Sequence, residues 1–197
     1  MKITKSKLYV VATPIGNLQD LSERAKEILM GVDLLLCEDT RVTGKLLSVL
    51  GSSVSRDSFH QHSTPAKRQA IIDKINSGLS VALVSDAGTP NISDPGGALV
   101  ADAIKAGIEV IPIPGPSAAI TLLSVCGFPA DTYTFMGFPP HKKGRQSFFD
   151  KIGEVDHTVV IYESKHRIIK TLEQLPDDRL LAVGRELTKL HETIYRG

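Results

Sequence analysis

Net charge is almost absent from this sequence: 23 Lys and Arg stand against 22 Asp and Glu, leaving +1 with histidine neutral. A chain so balanced exerts no global pull on a polyanion, so any contact with nucleic acid must come from a local patch. Cysteine is scarce too. Cys37 and Cys126 lie in apolar segments and match no metal or redox spacing, which points to a reducing cytoplasm and to no bound metal. Long hydrophobic runs are missing. No stretch approaches the roughly 20 apolar residues of a membrane span. The opening MKITKSKLYVVATPIGN has an apolar run of about six residues, too short for a secretion signal. What remains is the composition of an ordinary globular protein, and 197 residues suffice for one large domain or two small ones.

Short apolar runs alternate with helical patterns along the first half. Residues 8–12, 32–37, 58–62, 81–84 and 108–111 read as strands. Between them, Leu21, Ala25, Ile28 and Leu29 recur at helical spacing before Gly31, and 45–50 is a short helix closed by Gly51. Thr64-Pro65 supplies an N-cap and a first-turn proline for a helix carrying Ile71, Ile72 and Ile75 and ending at Gly78. Asp94-Pro95 opens another in the same way, reaching Gly107. Near-continuous apolar strands alternating with helices predict a parallel five-stranded sheet covered on both faces.

Pro112, Pro114 and Pro116 cannot sit in a central strand, because proline offers no N–H to the ladder. The sheet is expected to let go there, with Ser117 capping a helix through Val125. Beyond Pro129 the rhythm changes: 133–138, 158–162 and 180–183 read as strands and 146–152 and 166–175 as helices. The expectation is two α/β domains, 1–115 and 116–197, the second with a mixed sheet, meeting near Pro114–Ser117.

Ligands of open parallel sheets bind beyond the carboxyl ends of the strands. Four loops qualify: TPIGNLQD (13–20), CEDTRVTG (37–44), SDAGTPNISDPGG (85–97) and PIPGPSAA (112–119). A dinucleotide is the first guess, since Glu38 follows Gly16 by about 20 residues, where a ribose-binding acid stands. Yet TPIGN has one glycine where that fingerprint needs three, and prolines remove the N–H donors that a pyrophosphate requires. A ligand without phosphate fits better. S-adenosylmethionine has cationic parts that suit carbonyl-rich loops, and small residues such as Ala87, Gly88 and Ala118 leave room for an adenine.

TPIGNLQDLSERA, CEDTR, SDAGTPNISDPG, PGPSA, GFPPHKKGR, YESKHR and GRELTKLHE, taken in order over nearly the whole chain, resemble the motifs of the ribosomal RNA small subunit methyltransferase I family, within the tetrapyrrole methylase superfamily. The resemblance implies S-adenosylmethionine as cofactor, held between two α/β domains of a homodimer. It also implies 2′-O-methylation of a cytidine ribose in the RNA of the 30S subunit. The cofactor residues it carries over are Ile15, Gly16, Asp86, Ala87, Gly88, Thr89, Pro90, Ile92, Pro114, Gly115, Pro116, Ser117 and Ala118, with Phe138 and Val183 from the second domain.

Other motifs have a bland reading and a sharper one. Glu38, Asp39 and Arg41 make either a surface ion pair, worth about 0–1 kcal/mol, or a device for placing substrate. His60 and His62 share one face of a strand, but no third ligand is suitably spaced, so they are taken as ordinary surface residues. His141, Lys142, Lys143 and Arg145 form the densest basic cluster, a candidate for phosphate-backbone contact. Arg167 and Arg185, at two further strand ends, complete the expected RNA contacts. Four residues are candidates for the base that activates a ribose hydroxyl: Glu38, Glu163, His166 and Lys189. Positioning without a base is the alternative. Rival readings are a tetrapyrrole or other small-molecule methyltransferase, which has no use for HKKGR, and a non-catalytic domain sensing an adenosine ligand. Members of the family that the sequence resembles extend further at the C-terminus. The chain is therefore expected to fold with the strand at 180–183 short of partners and the second domain more mobile than the first.

Overall fold

A computed structural model describes residues 3–197, which divide into two compact units, Met1–Ser117 and Ala118–Gly197. In the first, the strands are β1 (Lys7–Val11), β2 (Leu34–Cys37), β3 (Arg56–Ser58), β4 (Val81–Leu83) and β5 (Glu109–Ile113). They form a single sheet in the order β3-β2-β4-β1-β5, parallel throughout. The helices are α1 (Glu23–Gly31), α2 (Thr40–Leu50), α3 (Pro65–Asn76) and α4 (Gly97–Lys105).

The period-2 alternation of each strand sorts its side chains between two cores. Tyr9, Val11, Leu35, Cys37, Ala82 and Val84 pack with Ala25, Ile28 and Leu29 of α1 and Leu47 of α2. Their neighbours Leu8, Leu34, Leu36, Val81 and Leu83 pack instead with Ile71, Ile72 and Ile75 of α3 and Leu99 and Ala103 of α4. Thus α1 and α2 cover one face and α3 and α4 the other, which is why β1, β2 and β4 read as unbroken apolar runs.

Local signals fix most helix starts. Ser22 Oγ accepts the Ala25 N–H for α1, and Thr64 Oγ1 accepts the Lys67 N–H for α3, with Pro65 in the first turn as expected. For α2 the cap is Asp39, which lengthens that helix to Thr40 rather than Lys45. Asp94 does not cap α4. The helix starts later, at Gly97, after Gly96 at φ +137°.

Two further strand readings are corrected. β5 continues through Pro112 to Ile113, because it is the edge strand and pairs with β1 alone; a proline whose missing N–H faces outward costs no ladder bond. β3 lies at Arg56–Ser58, so His60 and His62 fall in the turn after it.

The second unit contains α5 (Ala118–Cys126), β6 (Tyr133–Gly137), α6 (Arg145–Glu154), β7 (Thr158–Ile161), α7 (Ile168–Leu172), β8 (Ala182–Arg185) and β9 (Thr193–Arg196). Its strands show both senses, divided between two sheets rather than joined in one: β6 and β7 pair parallel, β8 and β9 antiparallel. β9 is an addition to the strands expected, and it gives the strand near 180–183, expected to be short of partners, a single antiparallel one: Val183 pairs with Tyr195 and Gly184 with Ile194. The core joins Ala119, Leu123 and Cys126 of α5 to Val160, with Phe135 edge-on to Tyr162 at 4.9 Å between ring centres. Among the described residues no helix is long and apolar enough to cross a membrane.

Candidate functional site

β1 and β4 lie side by side, and from them the chain departs in opposite directions, toward β2 and toward β5. In a parallel sheet such a switch point leaves a crevice at the carboxyl edge. Here the loop after β4 is tied to the loops around it. The Thr13 N–H donates to the Gly88 carbonyl at 2.9 Å and the Gly88 N–H to the Thr13 carbonyl at 3.0 Å. Thr13 Oγ1 donates to the Ser85 carbonyl (3.1 Å) and Ser85 Oγ to the Gly88 carbonyl (3.2 Å). Both hydroxyls belong to buried residues and find partners, as buried polar groups must. Thr89 Oγ1 reaches the Pro116 carbonyl after β5 (3.1 Å), and Asp86 Oδ1 accepts the Asp39 N–H after β2 (3.1 Å).

The backbone in this loop is closely packed and partly strained. Gly88 sits at φ +86°, and a Cβ there would stand 3.3 Å from Ile15 Cγ2 and 3.6 Å from the Pro116 carbonyl oxygen. A Cβ on Gly115 would stand 2.9 Å from that of Ala12. Asn91 (φ 73°) and Ser93 (φ 65°) are left-handed as well, a conformation that costs non-glycine residues free energy and collects at ligand sites. These turns carry the chain past Asp94 before α4 can begin. Of the residues named from sequence, Gly16, Asp86, Ala87, Ile92, Pro114 and Gly115 are exposed. Ile15, Thr89, Pro116 and Ser117 are half-buried, and Gly88 and Pro90 are buried.

The loops at this edge carry more carboxylates than cations. Loops 13–20, 85–97 and 112–119 hold no Lys or Arg, whereas Glu38, Asp86 and Asp94 bring carboxylates. Burial pushes Asp94 up to about 6, and the Glu38 and Asp86 charges add to the rise against a hydrogen bond with Ser85. Asp94, which sequence reasoning treats only as a helix cap, thus titrates close to neutrality inside an acidic group; its place after a ligand-type loop, not its Asp-Pro signature, is the signal. Arg41 is turned onto Asp39, Nη2 to Oδ2 at 2.6 Å and Nε to Oδ1 at 3.0 Å. Those bonds, with the Arg41 N–H, hold the Asp39 carboxyl well below the usual range. Burial raises the Cys37 thiol, which keeps it protonated and inert.

In the second unit the residues of GFPPHKKGR and YESKHR separate into two groups. His141, Lys142 and Lys143 are exposed between Pro140 and α6. Arg145, expected beside them as an RNA contact, is buried at 6% exposure. Its guanidinium donates to Gln174 Oε1 (2.8 Å), Thr171 Oγ1 (2.7 Å) and the Pro140 carbonyl (3.1 Å), and lies 5.0 Å from the Phe149 ring centre. Glu163 is no base. Its side chain is 3% exposed and its oxygens accept from Arg167 Nη2 (2.7 Å), the Ser164 N–H (2.6 Å) and Thr171 Oγ1 (2.6 Å). Burial alone would raise its pKa, but these bonds and the Arg167 and Arg145 charges outweigh it and lower the value. Arg167, expected to touch RNA, is spent on Glu163, Ser164 and the Pro139 carbonyl.

His166 is exposed. Lys189 is exposed in the β8–β9 turn, 3.3 Å from Glu186, and Arg185 ends β8 exposed. In that turn Glu186 and Thr188 are left-handed, and the Thr188 hydroxyl is buried without a hydrogen-bond partner among the described residues. Phe138 is half-exposed with its ring 5.5 Å from that of Tyr162, and Val183 is half-buried in β8.

A parallel sheet whose carboxyl-edge loops are tied to one another by hydrogen bonds and bear carboxylates defines an α/β protein with its candidate ligand loops at the strand ends. Residues 7–197 match the family described as Tetrapyrrole (Corrin/Porphyrin) Methylases. The chain is similar to ribosomal RNA small subunit methyltransferase I of Vibrio cholerae serotype O1, with 48% identity over 95% of this chain and 67% of that one. To the protein of the same name from Escherichia coli O157:H7 it is 45% identical, over 98% of this chain and 69% of that one. Among solved structures, uroporphyrin-III-C-methyltransferase from Thermus thermophilus superposes with a TM-score of 0.66 at 19% identity, covering 98% of this chain and 85% of that one, a likeness of fold. The chain belongs to the ribosomal RNA small subunit methyltransferase I family of tetrapyrrole methylases.

Proposed function

We propose that this protein transfers the methyl group of S-adenosylmethionine to the 2′-hydroxyl of a cytidine in the small-subunit ribosomal RNA of the 30S particle, working as a homodimer in the cytoplasm. The observation that carries the reading is the identity of 45–48% with ribosomal RNA small subunit methyltransferase I proteins along nearly the entire chain. The donor set of the crevice fits the cofactor. Asp86 and the carbonyl-rich loops suit its ammonium and sulfonium, and the missing side chains at Gly88 and Gly115 let these loops pack closely against Ile15 and Ala12. The cofactor supplies an electrophilic methyl group.

The residues of the chain have three tasks. The loops 13–17, 85–92 and 114–117 bind and orient the cofactor, since fixing donor and acceptor in line can contribute up to roughly 7–11 kcal/mol. Lys142, Lys143 and Arg185 meet the RNA backbone. A base at the reacting hydroxyl would add about 10²–10⁴-fold; Glu38, beside Asp86 and Asp94, fills that role better than the saturated Glu163. Residues 1–115 serve as the cofactor domain and 116–197 as the second domain.

Incubation with a methyl-labelled cofactor and unmethylated 30S subunits tests the reading. Label should enter small-subunit RNA and survive alkali as a ribose-methylated dinucleotide. Label on a base, or none in RNA while a uroporphyrinogen accepts it, would overturn it.

A further inference from the structure

The exposed loop that carries His141, Lys142 and Lys143 is gripped from behind. It starts with Pro139 and Pro140, which have no N–H, so their carbonyls are the backbone groups by which it can be held. Each carbonyl receives a different arginine: Arg167 Nη1 donates to Pro139 and Arg145 Nη1 to Pro140, both at 3.1 Å. Both guanidinium groups converge on one carboxylate. Arg167 Nη2 lies 2.7 Å from Glu163 Oε1, and Arg145 Nη1 lies 3.8 Å from Oε2. Thr171 Oγ1 links them further, accepting from Arg145 Nη2 at 2.7 Å and donating to Glu163 Oε2 at 2.6 Å. At its far end the loop closes on Gly144, left-handed at φ +82°, where α6 begins.

We propose that Glu163 is a positioning residue for RNA recognition: through Arg145 and Arg167 it fixes the two proline carbonyls and thereby sets the exposed basic loop in the conformation that meets the phosphate backbone. This rests on the reading of Lys142 and Lys143 as RNA contacts. Burying Glu163 and Arg145, with Arg167 half-buried beside them, to fasten one loop is a poor way to gain stability, since apolar residues of like volume serve as well or better. What the network provides is geometry. Lysines on a loop already ordered lose less freedom when they bind than lysines on a free one.

The test is RNA binding as a function of salt, with unmethylated 30S subunits as the probe and thermal melting as the control for folding. Lys142→Ala with Lys143→Ala should lower the slope of log K against log salt by about 2, one per lost phosphate contact. Glu163→Gln and Thr171→Val should each lose part of the same slope and raise KM for RNA with kcat held. Thr171→Ser, which keeps the hydroxyl, should restore both. In the background lacking the two lysines, Thr171→Val should add nothing to the RNA deficit. Should Glu163→Gln fail to fold, the contrast between Thr171→Val and Thr171→Ser decides. A folded Thr171→Val protein with wild-type slope and KM, alongside an impaired lysine variant, overturns the positioning role and leaves the RNA reading standing. A lysine variant that binds like wild type removes the RNA reading and this inference with it.

Discussion

Thr13 and Gly88 exchange both backbone hydrogen bonds, at 2.9 and 3.0 Å, in an antiparallel bridge that ties the loop after β1 to the loop after β4 beyond the parallel pairing of the two strands. The exchange needs Gly88 in the left-handed region, at φ +86°, with Ile15 Cγ2 3.3 Å from where a Cβ would stand. Gly88→Ala should therefore lose about 1–2 kcal/mol from backbone conformation, and cofactor affinity should fall with it. Gly97, in the first turn of α4, has open space around its Cβ position, so Gly97→Ala should be neutral or stabilising by up to about 1 kcal/mol. Urea denaturation of the two variants side by side checks the contrast.

Asp94 should make the first unit less stable as the solution turns from acid to neutral. Its folded-state pKa lies at about 6 against an ordinary 3.8, chiefly through burial, so the folded protein holds that proton more tightly than the unfolded one. The stabilisation is fully present below the unfolded pKa and is lost as the pH rises through about 6. Asp94→Asn should abolish this contribution: its melting temperature should exceed that of wild type at pH 8 and converge with it near pH 4. Melting curves across that range, with identical dependence in both proteins, would rule the assignment out.

Hydrogen exchange should separate the two kinds of sheet. Val81–Leu83 is central and buried on both faces, whereas β8 and β9 form a two-stranded sheet with Arg185, Tyr195 and Arg196 exposed. The amides of β4 and β1 should be the slowest in the protein and those of β8 should exchange well before them, since opening of the pair exposes little apolar surface.

The parts of this fold that were legible are those whose cause is local. Val81 to Val84 reads as a strand because both faces of it are covered, and Thr64-Pro65 starts a helix by its own hydroxyl and ring. Asp94-Pro95 has the same signature and fails, because Gly96, at φ +137°, breaks the would-be first turn and the helix begins only after it. β9 escaped notice since TIYR is short and owes its structure to pairing with β8, not to its own pattern. The basic run HKKGR gave no sign that Arg145 differs from its neighbours. Only the Glu163 carboxylate, Thr171 and Gln174, distant in sequence, distinguish a buried anchor from exposed contacts. The cofactor loops were legible by position at strand ends, whereas the acidic environment of Asp94 required the folded loop.

Calorimetry with S-adenosylhomocysteine tests most directly whether the carboxyl-edge loops of the first unit hold the cofactor. The protein should bind it, Asp86→Ala should bind it at least several-fold more weakly, and Lys142→Ala with Lys143→Ala should leave the affinity unchanged. Binding as tight in Asp86→Ala as in wild type, or no binding in wild type, would contradict the account.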